Sequence, residues 1–271
     1  MPQPGQVFDR TLYAERTRRA RRAGPNILTR TIAEELTERL DLINRCFDHA
    51  AVLAADPGAV AARLAETGKV KSLAALESPD DEILKLDPES CDAIFSVLDL
   101  QSANDVPGLL IQMRRALKPD GLLLACLFAG DTLTELRQSW LAAEARITGG
   151  ATPRVAPMID MRELGGLLQR AGFALPVADL DRTTVRYADA IALIHEISEL
   201  GLSNIMTDRA RTFVPRRLLG AVIGHYHDHF CDDDGRVRAT IDIAWLTAWS
   251  PHASQQQPLK PGSAKMRLAN A

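Results

Sequence analysis

The residues whose types most clearly suggest ligand binding lie where a short apolar strand runs into a turn. Ala50–Ala54 is apolar, and Asp56-Pro57-Gly58 follows it directly. In an α/β protein, such a turn binds a ligand when glycines let the backbone approach it closely. The same turn also suits a plain helix start, with Asp56 as the cap and Pro57 in the first turn. Both interpretations are open, and the chemistry of these three residues favours the helix cap.

A histidine pair near the end of the chain is a second candidate for chemistry. His225 and His229 are four residues apart, so on a helix they share one face and have a spacing that can hold Zn²⁺. His227 points elsewhere on that helix. The apolar stripe of the same segment places the pair at the boundary of the core. We therefore interpret it as a boundary pair and expect no bound metal.

Positive charge is concentrated at the start of the chain. Residues 1–30 contain seven arginines against Asp9 and Glu15, whereas the whole chain has a net charge of −3. Such a cluster either contacts an anionic partner or forms the solvated face of a helix. Only Tyr13 is interleaved with the arginines, so base stacking has little support and a nucleic-acid partner is not expected.

Composition indicates a folded protein with a full core. The chain has 271 residues, of which 46% are hydrophobic and 25% are charged. Its longest apolar run, residues 122–129, is far shorter than the roughly 20 residues that cross a bilayer. No signal peptide is apparent in the first 30 residues. Four separated cysteines without a CxxC pair favour a reducing compartment, which means the cytoplasm or an equivalent such as the mitochondrial matrix.

Strand and helix patterns predict an α/β domain over residues 48–250. Asp92–Leu98 and Leu122–Phe128 read as buried strands, and a helix with an apolar stripe lies between them. This is a βαβ unit of a doubly wound sheet. Residues 1–47 are predicted as a basic N-terminal helical extension, and residues 251–271 as a loose tail. A helical cap is predicted around 132–170, and two short strand-like pieces within 173–187.

Several motifs together resemble one enzyme superfamily. The turn Ala116-Leu-Lys-Pro-Asp-Gly121 is similar to one that precedes a strand in class I S-adenosylmethionine (SAM)-dependent methyltransferases. Residues 127–175 sharpen the resemblance, which points to the mitochondrial complex I assembly factor 5 group and to the biotin-pathway malonyl-carrier-protein methyltransferase. The segments that carry it are Phe8-Asp-Arg10, Phe128-Ala-Gly-Asp-Thr-Leu-Thr-Glu-Leu-Arg137, Gly149-Gly150, Pro153, Pro157, Leu164-Gly-Gly-Leu-Leu-Gln-Arg-Ala-Gly-Phe173 and Asp234-Gly235.

The resemblance covers about residues 7–265 and implies a Rossmann-like class I methyltransferase fold with SAM as cofactor. It also implies a role in modifying or maturing a respiratory complex I subunit. No catalytic residue follows from it. The positions that it assigns to cofactor binding are Leu53, Ala54, Asp56, Gly58, Glu77 and Leu98.

This chain departs from the family pattern where SAM binds. The family's Gly-x-Gly-x-Gly loop is reduced to Gly58, with Ala54 and Asp56 where glycines stand. Only 34 residues separate Gly58 from Asp92, whereas the full set of helices and strands needs about 45. We therefore expect an edge strand to be missing and strand 70–76 to lie at the edge. The His-Trp pair that relatives often show is replaced by Gln101-Ser102.

Two functional hypotheses follow. The first is a non-catalytic descendant with a degenerate SAM site, which acts through a protein partner such as a complex I subunit. The alternative is an active SAM-dependent methyltransferase or protein-modifying enzyme. The loop after residue 128 is open to both: Thr132 and Glu135 form either a helix capping box or part of a ligand crevice.

Overall fold

The structure is a computed structural model that describes residues 6–22, 24 and 26–256. Residues 1–5 of the predicted N-terminal extension and residues 257–271 of the predicted tail lie outside the described residues. One six-stranded sheet organises the chain. Its strands are β1 (Phe47–Ala54), β2 (Val70–Leu76), β3 (Cys91–Val97), β4 (Leu117–Phe128), β5 (Ala174–Tyr187) and β6 (Val237–Trp249). The α-helices are α1 (Arg10–Arg21), α2 (Ile27–Asp41), α3 (Pro57–Glu66), α4 (Val106–Ala116), α5 (Thr134–Thr148), α6 (Met161–Arg170), α7 (Ala190–Glu199) and α8 (Arg216–Phe230).

The sheet has the doubly wound α/β topology that the sequence predicts. Its order is β2-β1-β3-β4-β6-β5. The first four strands are parallel, and β6 runs antiparallel to both β4 and β5. β2 forms one edge, as predicted, and in the described chain residues 77–90 contain neither a strand nor a helix. The segment 173–187, predicted as two pieces, is one strand: the register shift near Ala174 is bridged because β6 is long enough to pair with all of it.

Apolar layers cover both faces of the sheet, as its buried parallel strands require. On one face, α4 and α6 pack with residues such as Leu110 and Leu168. On the other face, α2 and α3 pack with Leu36, Leu40 and Leu64 against β1 and β3. Each such leucine contributes about 1.5–3 kcal/mol by burial. α2 therefore forms part of the layer that covers this face of the sheet.

The helices predicted as one cap around 132–170 lie in two places. α5 packs against α8 over the ends of β5 and β6, and a small core that includes Leu136, Leu193 and Tyr226 joins these two helices to α7. α6 instead packs on the sheet against α4 and β5. The cap that overhangs the sheet is therefore formed by α5, α7 and α8. Among the described residues, no helix combines the length and apolarity that crossing a membrane would require.

Candidate functional site

The turn after β1 is a helix cap. The Asp56 carboxylate accepts a hydrogen bond from the Ala59 N–H (3.1 Å), and Pro57 begins α3. A Cβ added to Gly58 would meet only an Asp56 oxygen, at an ordinary contact distance of 3.7 Å. Leu53 and Ala54 are buried in the two cores on either side of the sheet. Neither a left-handed conformation nor a close approach therefore requires glycine at position 58.

Helix α1 lies across the carboxyl ends of the parallel strands. Its buried face contains Arg10, Tyr13 and Thr17, and Tyr13 is only 1% exposed. Arg10 Nη1 donates to the Ser102 carbonyl (2.9 Å), and the Tyr13 hydroxyl donates to the carboxylate of Asp99 (3.1 Å). Burial, followed by the charge of that carboxylate, raises the pKa of Tyr13 well above its ordinary value. α1 is thus anchored where ligands of open α/β sheets bind.

The loops after β2 and β3 meet above the end of β1. Ser78 Oγ donates to Asp99 Oδ2 (3.0 Å), and the Asp99 side chain is fully buried. β2 and β3 flank β1, so their backbones are two strand spacings apart, about 9.5 Å. A direct hydrogen bond between their following residues requires the two loops to converge. Arg10 Nη2 also bonds Ser78 Oγ after β2, while its Nη1 bonds the Ser102 carbonyl after β3, so one guanidinium joins both loops.

The two remaining positions predicted to bind the cofactor are Glu77, which contacts α1, and Leu98, which contacts residues close to it in sequence. Glu77, which follows β2, accepts from Arg21 (2.8 Å) and lies 3.7 Å from Arg18. The hydrogen bond from Arg21 outweighs the effect of burial and lowers the pKa of Glu77. Leu98, which follows β3, has a left-handed backbone (φ 50°), and its carbonyl accepts from Gln101 Nε2 (2.6 Å). That Glu77 or Leu98 contacts a cofactor stays a prediction.

Beside these two loops, beneath the cap, lies a cavity of about 830 Å³ including the part that is open to solvent. Its floor is the end of β4 and the turn after β3, and its roof is α5, α7 and the segment 154–158. The lining is mostly apolar, with Phe128, Leu136 and Ile197 among its members. A large apolar pocket at the carboxyl end of a sheet, with a few polar groups, is a typical ligand site.

The polar groups of this cavity include an unsatisfied acceptor at Gln101 and a carboxylate at Glu196. Gln101 is 8% exposed and its Oε1 has no hydrogen-bond partner. Glu196 lines the cavity, and among the described residues no cation lies within 4.0 Å of it. The Tyr187 hydroxyl faces Glu196, and burial together with this carboxylate raises the pKa of Tyr187. Arg154 is the one lining cation of the described residues, and Glu144 balances its charge at 2.6 Å.

The capping box predicted at Thr132 and Glu135 is wrong. The residue that precedes α5 is Leu133, in a left-handed conformation. Thr132 instead donates from its hydroxyl to the Ala129 carbonyl (2.8 Å), and buried Glu135 accepts from the N–H (3.0 Å) and hydroxyl (2.6 Å) of Thr240. Partners on β6 therefore replace the local cap.

A buried carboxylate on β6 holds the loop after β4. Asp242 accepts from the Asp131 N–H (2.9 Å) and from Arg182, and the Gly130 backbone is so close that a Cβ there would lie 2.6 Å from the carboxylate. Burial would raise the pKa of Asp242, but the hydrogen bonds from Arg182 and Asp131 outweigh it and lower that pKa. This loop is therefore held rigidly at the cavity floor.

The histidine pair lies on α8, with its rings stacked at 4.0 Å. His225 Nδ1 bonds Ser139 Oγ (3.2 Å), which ties the pair to α5. Burial, and then the charges of His229 and Arg146, lower the pKa of His225. Between residues 6 and 256, apart from positions 23 and 25, no three His, Cys, Asp or Glu side chains gather as a metal site would need.

Known proteins share both the sequence pattern and the fold. A family model described as a methyltransferase domain matches residues 31–125, which run from α2 through most of β4. The fold aligns over 81% of this chain with a candidate methyltransferase of Bacillus halodurans, covering 100% of that chain at 12% identity and a TM-score of 0.52. The YcgJ protein of Bacillus subtilis gives a TM-score of 0.51, also at 12% identity, over 81% of this chain and 99% of its own. The chain has the fold of the class I methyltransferase superfamily.

In sequence, the chain is similar to two groups of curated proteins. It is 35% identical to the mitochondrial arginine-hydroxylase NDUFAF5 of Dictyostelium discoideum over 72% of this chain and 44% of that protein. It is 36% identical to the human protein of the same name, over 68% of this chain and 53% of that protein. The malonyl-[acyl-carrier protein] O-methyltransferase of Laribacter hongkongensis is 34% identical over 69% of this chain and 61% of the relative. The chain thus spans about half the length of the curated relatives it matches.

Three of the residues that shape the methyltransferase-like site are not evident from sequence patterns. Arg10 begins a segment that is rich in exposed arginines, so its burial is unexpected. The spacing of Arg10, Tyr13 and Thr17 is the available signal, because residues i, i+3 and i+7 share one helix face. Asp99 follows a buried strand, where acidic residues at sheet ends often have a function. No sequence pattern predicts that Glu196 lines the cavity.

Proposed function

We propose that this chain is a member of the assembly-factor branch that no longer uses SAM and acts by binding a partner protein. The observation that carries the proposal is the joining of the loops after β2 and β3 by Ser78, Asp99 and Arg10. In this superfamily the cofactor site lies at that crevice, so these side chains and α1 would have to move before SAM could enter. The use of Asp56-Pro57-Gly58 as a helix cap supports the same conclusion.

We further propose that the cavity beneath the cap receives an arginine side chain of the partner. The relatives named arginine-hydroxylases support an arginine-directed role. The cavity offers the matching chemistry: a carboxylate without a cation at Glu196, an unpartnered amide oxygen at Gln101, and apolar walls for the aliphatic stem. A guanidinium has five N–H donors and no acceptor, so its chemistry matches the Gln101 oxygen and the Glu196 carboxylate.

Titration calorimetry with SAM tests the first part. We expect a dissociation constant above about 100 μM, because each tenfold loss corresponds to about 1.4 kcal/mol and the glycine approaches and edge-strand contacts of the family are missing. Binding tighter than about 10 μM, or methyl transfer from SAM to an acceptor, would establish the alternative of an active methyltransferase.

Binding of N-acetyl-arginine methylamide, followed by NMR, tests the second part. The citrulline analogue has nearly the same shape without the positive charge, so it should bind at least tenfold more weakly. Glu196→Gln should cause a similar loss, whereas Glu199→Gln is a matched control because Glu199 lies on the same helix but does not line the cavity. Equal binding of the two analogues would contradict an arginine site.

A further inference from the structure

A groove of about 1250 Å³ runs along the outside of the cap next to the cavity. Its cations are Arg16, Arg154, Arg209 and Arg211, and none of the described residues that line it is Asp or Glu. This is unusual for a chain with a net charge of −3. Four cations along one concave surface without lining acids create a positive potential that attracts anionic groups.

Two of these arginines have their charge balanced nearby and two do not. Glu144 pairs with Arg154 at 2.6 Å, and Asp9 pairs with Arg209 at 3.2 Å. For Arg16 and Arg211, the described part of the chain provides no carboxylate within 4.0 Å. Arg16 Nη1 donates to the Asn204 carbonyl (2.6 Å), which fixes the guanidinium at the groove wall. Burial, and then the charge of Arg209, lower the pKa of Arg16, and the charge of Asp9 opposes this shift only in part.

The groove also has an apolar side. Phe213 is 100% exposed, which is rare for an aromatic side chain, and Val214 and Ile194 continue the surface. Trp140 lies behind them with Arg154 stacked on its ring at 4.7 Å. An exposed aromatic residue next to uncompensated arginines is typical of a protein interface, where aromatic and arginine side chains are enriched.

The groove and the cavity are adjacent. Leu136, Arg154, Ile197 and Asn204 line both. A chain that lies in the groove therefore passes next to the cavity. One residue of that chain can enter the cavity while its neighbours remain in contact with Arg16 and Arg211.

We propose that the groove binds an acidic segment of the partner protein, with an apolar side chain against Phe213, and thereby presents the partner's arginine to the cavity. The proposal rests on the proposed function for the arginine, whereas the acidic segment rests on the groove alone. Single-stranded nucleic acid fits less well, because Arg154 already covers the Trp140 ring, which is therefore not free to stack on a base.

Fluorescence anisotropy with labelled synthetic peptides tests the inference. The probe is a 12-residue peptide in which Glu and Ser alternate around one Phe and one Arg. Matched peptides have Gln in place of every Glu, or norleucine in place of Arg, and a labelled dT12 strand represents nucleic acid. We expect the acidic peptide to bind, the Gln peptide to bind at least tenfold more weakly, and binding to weaken as salt rises from 50 to 300 mM.

Variants of the protein locate the site. Arg211→Glu and Phe213→Ser change exposed side chains at the groove, so both should fold normally. Each should weaken the acidic peptide at least fivefold, whereas Arg236→Glu, an equal charge change at an exposed position outside the groove, should not. Unchanged binding in Arg211→Glu, equal binding of the Gln peptide, or tighter binding of dT12 that depends on the same residues would overturn the inference. If acidic residues matter but norleucine binds as well as Arg, the groove stands and only the arginine site fails.

Discussion

Removing the Arg10 guanidinium tests whether α1 closes the crevice as part of the folded core. Arg10 is 5% exposed and its side chain bonds Ser102, Ser78 and Pro79. In Arg10→Ala, the Ser102 carbonyl loses a charged donor, and buried Asp99 loses its neighbouring cation. We expect the free energy of unfolding to fall by about 3 kcal/mol, the lower end of the range for breaking a buried ion pair. The lower end applies because the distance between Arg10 and Asp99 is 4.0 Å.

Arg21→Ala is the matched control, because it removes an arginine from the same helix. Its partner Glu77 is 55% exposed, and exposed ion pairs contribute about 0–1 kcal/mol. Alanine and arginine have similar helix propensities, so the helix itself is little affected in either variant.

Urea denaturation followed by circular dichroism measures both variants. We expect the transition midpoint of Arg10→Ala to fall clearly, while Arg21→Ala remains close to the parent protein. If the two variants lose the same small amount of stability, below about 0.5 kcal/mol, then α1 is not held at the crevice by Arg10, and SAM can enter there without a large cost.

Other changes follow from contacts at the site, and denaturation measures each. Gly58→Ala should change stability by less than about 0.5 kcal/mol because a Cβ there has room, whereas Gly130→Ala should cost more than about 2 kcal/mol because its φ is 54° and its Cβ meets Asp242. Asp242 has a lowered pKa in the folded chain, so its contribution is present above its unfolded pKa of about 3.9 and is lost as the pH falls through the folded value. Asp242→Asn should lower stability at pH 7 and flatten this acid limb; an unchanged limb would contradict the assignment. His225 also has a lowered pKa, so folding favours its neutral form and stability should fall as the pH drops below about 6.5; His225→Gln should remove that slope.

The parallel half of the fold follows from sequence patterns. The apolar strands, the Asp56 cap and the place of β2 at the edge depend on local residue types and on the length of chain available between Gly58 and Asp92. These are short-range properties, so the sequence is enough to predict them. The missing strand is predicted by counting residues alone.

The site itself depends on long-range partners that no local pattern encodes. Glu135 follows Thr132 at capping-box spacing, yet its partner is Thr240, 105 residues away. The cavity brings together residues from both ends of the described chain, from Phe8 to Ile241. Their meeting is set by how the cap helices pack over the sheet, a tertiary effect that overrides local propensity.

The contacts that hold α1 also determine when, during synthesis of the chain, this helix becomes fully anchored. Arg16 bonds the Asn204 carbonyl, and Asp9 bonds Arg209, so the partners are separated by 188 and 200 residues. A ribosome that adds roughly 5–20 residues per second needs about 10–40 seconds to make the intervening chain. During that interval, the first helix lacks its contacts with Asn204 and Arg209, and the ends of the early strands are not yet fully covered. α1 therefore gains the last of these contacts only after the chain has been made as far as Arg209.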